Sequence, residues 1–184
     1  MVPAQARAES SNPPPGQRLL AIGDSLAVFT EPFLVRALAD WRVRHEVRVS
    51  RTMGESLRVL RRLGTRLPPV VHLSVGTIHE PQDVADFAHF VAEATRLTGV
   101  DRCVVWANIY RPGVDGMTYA GFNRIIAAQV ASHSNMRLVD WHGMVRRHRN
   151  WVSRTDHVHP VAAGYRARAR AIASAARSCP YPQR

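Results

Sequence analysis

The chain has 184 residues, 46% of them apolar, and a formal net charge of +11, enough for one domain that buries roughly 70% of the surface its unfolded form exposes. No uninterrupted apolar run approaches the roughly 18 residues of a membrane span. The charge invites a nucleic-acid reading, but all 25 basic residues are arginine and they are spread along the whole chain, so a solvated arginine-rich surface is the better reading and a nucleic-acid partner is not expected.

Residues 1–17 contain Pro13-Pro14-Pro15 and small polar residues without the apolar stretch of a signal peptide. They read as a leader or linker before a domain over 18–178, with a tail over 179–184. A cytoplasmic location follows from that reading, although a chain trimmed of its signal would look the same. The first element is the apolar run Leu19-Leu20-Ala21-Ile22, a buried strand that stops at Gly23 and delivers Asp24, Ser25 and Leu26 at its carboxyl end. Thr30 to Trp41 has helical spacing, with Thr30 as N-cap and Pro32 in the first turn. Val43 to Ser50 reads as a second strand, Gly54 as a loop residue, and Glu55 to Leu63 as a second helix closed by Gly64. Val70 to Val75 is a third strand leading into Gly76-Thr77-Ile78-His79, and Pro81 to Leu97 an amphipathic helix. Arg102 to Asn108 is a fourth strand, Thr118 to Ser132 a helix, and Met136 to Trp141 a fifth strand. An irregular or partly helical segment from His142 to Arg154 precedes a last helix from Val161 to Arg177.

Strands alternating with helices describe a parallel sheet covered on both faces. Five of them in this order suggest a flavodoxin-like three-layer α/β/α fold whose crevice lies beyond the strand carboxyl ends. Cys103 falls in a core strand and Cys179 near the carboxyl terminus; a bridge between them is possible but not inferable from sequence, and two unpaired thiols fit a reducing compartment better.

Gly23-Asp24-Ser25 alone is also an ordinary turn followed by a helix N-cap. Near the carboxyl terminus, however, Thr155-Asp156-His157-Val158-His159-Pro160 offers a carboxylate three residues before an imidazole. A serine nucleophile needs an imidazole to take its proton and a carboxylate to orient that imidazole. Asp156 can reach back to Nδ1 of His159 while Nε2 faces Ser25. A rival reading has Asp156 capping a turn and His159 as a surface histidine. His142, His148, His157 and His159 with Asp140 and Asp156 match no sharp zinc spacing, and no metal is expected. Trp106, Trp141 and Trp151 line an acyl or sugar pocket in one reading and pack the core in another.

In combination these motifs resemble the SGNH, or GDSL, hydrolase family from about Leu19 to Ala176. Its first block matches Gly23-Asp24-Ser25-Leu26, its second centres on Gly54, and its last matches Asp156 and His159. A closer similarity, to the SGNH modules attached to membrane acyltransferases that modify surface polysaccharides, lies in Val70 to Thr77 and Val139-Asp140-Trp141. The resemblance implies Ser25 as nucleophile, His159 as general base and then acid, Asp156 as orienting carboxylate, and the Ser25 and Gly54 N–H groups as oxyanion donors. It implies neither metal nor organic cofactor, and a small acyl ester or an O-acetylated carbohydrate as substrate. The family's third block is Gly-x-Asn, whereas this chain has Gly76-Thr77-Ile78. Isoleucine donates nothing. Asn108 and His79 are the candidates to compensate, against readings as a loop-capping amide and an exposed loop residue. Two functions follow: a serine esterase or acyltransferase, or a weakened domain that binds an acylated or carbohydrate ligand without turnover.

Overall fold

The computed structural model describes residues 17–180. The expected leader, except Gln17, and the last four residues of the expected tail lie outside the described residues. In chain order the elements are β1 (Arg18–Gly23), α1 (Ser25–Ala37), β2 (Arg42–Val47), α2 (Met53–Leu63), β3 (Val70–Ser74), α3 (Val84–Thr98), β4 (Cys103–Ala107), α4 (Ala120–Ala131), β5 (Met136–Val139), α5 (Trp141–Arg147) and α6 (Ala162–Arg177). The five strands form one parallel sheet in the order β2-β1-β3-β4-β5. The chain leaves β1 towards β2 on one side and returns to β3 on the other, which opens a crevice beyond the carboxyl ends of β1 and β3.

Strand composition follows from having both faces covered. Leu20, Ile22, Val71, Leu73, Val104 and Trp106 pack against α2, α3 and α4 through Leu60, Phe87, Phe90 and Phe122. The alternate residues Leu19, Ala21, Val70, Cys103 and Val105 meet α1 and α6 through Leu34, Ala169, Ile172 and Ala173. The edge strand β2 carries Arg42 and Arg44, charges that discourage further strand pairing.

Three expectations are corrected. The first helix begins at Ser25 rather than Thr30, because Asp24 caps it by accepting the Leu26 N–H on Oδ1 at 3.1 Å. Thr30 lies inside it with its hydroxyl on Leu26 O, and Pro32 sits in the interior, where it forfeits one helical bond. The second helix begins at Met53, so Gly54 is in its first turn rather than in a loop; Thr52 and Glu55 close a reciprocal capping box. Finally, the bridge that the sequence left open between Cys103 and Cys179 is formed, with a Cα–Cα distance of 5.8 Å, which removes the reading of two unpaired thiols in a reducing compartment. Helix α6 runs back across β4 and β5 and so returns Cys179, expected in a tail, to the start of β4. A bond that closes a loop between residues 76 apart contributes about 2–4 kcal/mol.

His72 is a buried polar residue in the middle of β3. Its Nδ1–H donates to Val105 O at 3.0 Å, while Nε2 is buried without a hydrogen-bond partner among the described residues. Burial, and then the positive Arg168, push this imidazole from the ordinary 6.5 down to about 3. Between those two values the unfolded chain binds the proton and the folded one does not, so stability rises with pH through the window and is lost as pH falls. The melting temperature should therefore drop on acidification from pH 7 to pH 4. His72→Gln, which still donates to Val105 O but does not titrate, should show a flatter acid limb. Parallel limbs would refute the assignment.

Candidate active site

The nucleophile turn is built where β1 ends. A Cβ on Gly23 would stand 2.4 Å from Ala27 Cβ and 2.7 Å from Ser74 O, so the close approach of strand, helix and neighbouring strand requires glycine there. Asp24 N–H then donates to Ser74 O at 3.1 Å, which locks the turn across to β3. Its buried carboxylate accepts the Leu26 N–H on Oδ1 and the Thr77 N–H, at 3.3 Å, on Oδ2. Burial raises the Asp24 pKa above the ordinary carboxylate value, against the pull of the Leu26 N–H, Arg168 and Thr77. Ser25 follows as the first residue of α1 and is 7% exposed.

Across the crevice, the loop before α6 presents Asp156 and His159. Asp156 Oδ1 accepts the Val158 and His159 N–H groups, each at 3.0 Å, and His157 at φ 55° supplies the left-handed turn between them. Asp156 Oδ2 lies 2.7 Å from His159 Nδ1, and His159 Nε2 lies 2.9 Å from Ser25 Oγ. Burial pushes the Asp156 pKa up, but the Val158 N–H and the ring and N–H of His159 outweigh it, so the net shift is downward and the carboxylate stays ionised. An ionised carboxylate holds the proton on Nδ1 and leaves Nε2 free to accept the Ser25 proton. The exposed ring of Phe29 stands edge-on to His159 with centroids 6.1 Å apart.

The opposite wall is the start of α2. Neither Ser25 N–H nor Gly54 N–H has an acceptor among the described residues; both lie in the first turn of a helix, where amides have no intrahelical partner and the dipole favours an anion. His79 Nε2 accepts the neighbouring Met53 N–H at 3.3 Å. Burial lowers its pKa against the attraction of Asp83, Asp24 and Asp86, which keeps it neutral and able to accept. The turn from Gly76 to His79 closes through His79 N–H on Gly76 O at 3.1 Å. Gly76 has φ +116° and its missing Cβ would meet Phe87 at 2.7 Å. Ile78 is half-buried in this turn.

The structure thus joins Ser25, His159 and Asp156 in one hydrogen-bonded chain and places at a helix start a Gly54 N–H that has no acceptor among the described residues. Asn108, expected as a substitute oxyanion donor, is committed elsewhere: its amide donates to Asp140 Oδ1 at 2.8 Å and accepts the His142 N–H at 2.7 Å, bracing the start of α5. His79 faces the start of α2 as an acceptor. Trp106 and Trp141 are 1% and 0% exposed and pack the core instead of lining a pocket; Trp151 stacks on His148. Asp140 caps α5. Among the described residues no three His, Cys, Asp or Glu side chains are grouped to hold a metal ion.

Sequence reasoning missed Arg168. It is 1% exposed, donates from Nη2 to Ser74 Oγ at 2.6 Å and lies 5.2 Å from the Trp141 ring centroid. A signal was present: Tyr165, Ala169, Ile172, Ala173 and Ala176 form the apolar stripe of α6, and position 168 falls on it.

No protein-family model and no curated protein sequence matches the chain. Solved structures do. The chain is similar to the C-terminal catalytic domain of peptidoglycan O-acetyltransferase A from Streptococcus pneumoniae, with a methylsulfonyl adduct, at 18% identity and a TM-score of 0.69, covering 89% of this chain and 92% of that one. A member of the lipolytic G-D-S-L family from Veillonella parvula matches at 17% identity and a TM-score of 0.67 over 84% of this chain and 94% of that one. A psychrotrophic esterase from Pseudoalteromonas, inhibited by monoethylphosphonate, matches at 14% and 0.57 over 88% and 97%. At such identities the likeness is one of fold. The chain has the three-layer α/β/α fold of the SGNH/GDSL hydrolases.

Proposed function

We propose that the chain is a serine enzyme of the SGNH type that cleaves or transfers small acyl groups, O-acetyl esters on a carbohydrate above all. The hydrogen-bonded chain from Ser25 through His159 to Asp156 carries this reading. Ser25 Oγ attacks the ester carbonyl as its proton passes to His159 Nε2, and the oxyanion is held by the Ser25 and Gly54 N–H groups. Collapse of the tetrahedral species breaks the bond to the alcohol, which leaves with the proton from His159. Water, or a second alcohol, then gives its proton to His159 and attacks the acyl-enzyme, regenerating Ser25. Asn108 has no part in the oxyanion hole in this reading, because it holds α5. The O-acetyl preference is supported by the O-acetyltransferase domain among the similar structures. The disulfide supports an oxidising compartment in place of the cytoplasm.

The test is active-site labelling. Phenylmethylsulfonyl fluoride should add once per chain, at Ser25 by peptide mass mapping, with p-nitrophenyl acetate hydrolysis lost in proportion to the adduct. Hydrolysis that persists in fully labelled protein, or an unlabelled Ser25 and no hydrolysis, overturns the esterase reading; the latter leaves the ligand-binding domain suggested by Ile78.

A further inference from the structure

The arginines are not evenly placed in three dimensions. Between Arg44 and Arg66 the chain carries seven arginines and two glutamates. Arg48, Arg51, Arg58 and Arg62 line a shallow cleft of about 500 Å³ between the β2–α2 loop and the outer face of α2, with Glu55 in its wall. Most of these charges are answered: Arg48 and Arg58 reach Glu55, and Arg62 pairs with Glu46 at 2.9 Å. Arg51 is not. Its guanidinium makes neither an ion pair nor a hydrogen bond with the described residues, and its Nε is buried without an acceptor. Burial, then the like charge of Arg48, depresses its pKa despite Glu46 and Glu55. A half-buried guanidinium short of acceptors and crowded by cations is a site that an oxyanion would complete.

The cleft adjoins the candidate active site. Arg48 N–H donates to Gly23 O at 3.1 Å, two residues before Ser25, and the loop that carries Arg51 ends at Thr52, the cap of the helix whose first turn contains Gly54. A polymer whose ester reaches Ser25 would lay its neighbouring units along this loop.

We propose that the cleft around Arg51 binds an oxyanion, phosphate or carboxylate, carried by the saccharide whose ester is presented to Ser25. This inference rests on the proposed acyl-ester activity for its link to Ser25, so binding is measured without turnover. Ser25→Ala protein, in 150 mM salt, where the Debye length is about 8 Å, is titrated calorimetrically with oligogalacturonate, a phosphomannan fragment and neutral dextran of similar length. One or both anionic saccharides should bind, and dextran should not; the stronger of the two assigns the oxyanion. Adding Arg51→Gln and Arg58→Gln, which leaves the Arg48–Glu55 and Arg62–Glu46 pairs in place, should weaken binding at least tenfold. Adding instead Arg166→Gln and Arg170→Gln, an equal loss of charge on the exposed side of α6, should change it less than twofold. Melting temperatures within a few degrees of the parent confirm intact folds. Equal weakening by the two double substitutions would reduce the effect to net charge and overturn the proposal, as would binding no tighter than dextran's. Ester hydrolysis by the wild type without anion binding by the Ser25→Ala protein overturns the cleft alone, and anion binding alongside a wild type that phenylmethylsulfonyl fluoride does not label at Ser25 overturns the activity and with it the link to an ester.

Discussion

Replacing Ser25 or His159 with alanine is expected to lower kcat/KM for p-nitrophenyl acetate by about 10³–10⁴-fold, and the double substitution by little more than either single one. The non-additivity is the informative part. Without His159 the Ser25 hydroxyl has no acceptor for its proton, and without Ser25 the imidazole has nothing to activate, so each loss makes the other group idle. Asp156→Asn should be less severe by about tenfold to a hundredfold. The carboxylate is 44% exposed and His159 39%, so water replaces part of the orienting field that a buried acid would supply alone. On the resemblance read from the sequence, Ile78 replaces the amide of the family's third block, and the absence of one oxyanion donor costs about 10²–10³-fold, so the drop is expected to be measured from a weakened start. The floor needs a control: the chain has nine histidines, and free imidazole cleaves an activated ester without a nucleophile turn. Equal low rates in the wild type and both variants would mean that only this background is being read.

What was legible in the sequence was whatever is encoded over a few neighbouring residues. The run Leu19 to Ile22 had to be a doubly covered strand, Gly23 its abrupt end, and Asp156 and His159 a carboxylate within reach of an imidazole. The order of strands and helices then fixed the sheet. Positions decided by competition between local signals were read less well. Thr30 and Pro32 imitate a helix start, but Asp24 caps six residues before Thr30 because its carboxylate is already aimed at Leu26 N–H by the bond from its own N–H to Ser74 O. Apart from the approach of His159 to Ser25, which the resemblance implied, contacts made across long sequence separations were not legible. The Cys103–Cys179 bond needs α6 to run back along β4, and the commitment of Asn108 needs Asp140 at the end of the next strand. Arg168 lay on the apolar stripe of α6, where the alternation of Arg166, Arg168 and Arg170 disguised it as surface charge.

That buried arginine carries the second large effect. Arg168→Met is expected to destabilise the fold near neutral pH, by less than the about 3–5 kcal/mol found when one partner of a contacting buried charge pair is removed, because Arg168 attracts the buried Asp24 without a direct ion pair and bonds Ser74 Oγ instead. Arg168 is itself a costly residue: Nε and Nη1 have no hydrogen-bond partner among the described residues, and burial pulls its pKa down to about 10 while Asp24 pulls the other way. Methionine removes that cost and roughly keeps the volume, but it leaves Asp24, which is 0% exposed, with only two backbone N–H groups and Thr77 to hold its charge. The pKa of Asp24, already raised by burial, should rise further. A carboxyl whose folded-state pKa exceeds its unfolded one destabilises the fold at high pH, and the penalty is relieved as pH falls through the folded value. The gap in melting temperature between wild type and Arg168→Met should therefore narrow from pH 8 towards pH 5, opposite in sign to the His72 limb. Adding Asp24→Asn should recover most of the lost stability at neutral pH, since the pair is then removed together. A gap independent of pH, with no recovery in the double variant, would reduce Arg168 to packing against Trp141. The expected result gives it another role: its charge lowers the Asp24 pKa against the effect of burial, and Asp24 holds Leu26 N–H and Thr77 N–H on either side of the turn that presents Ser25.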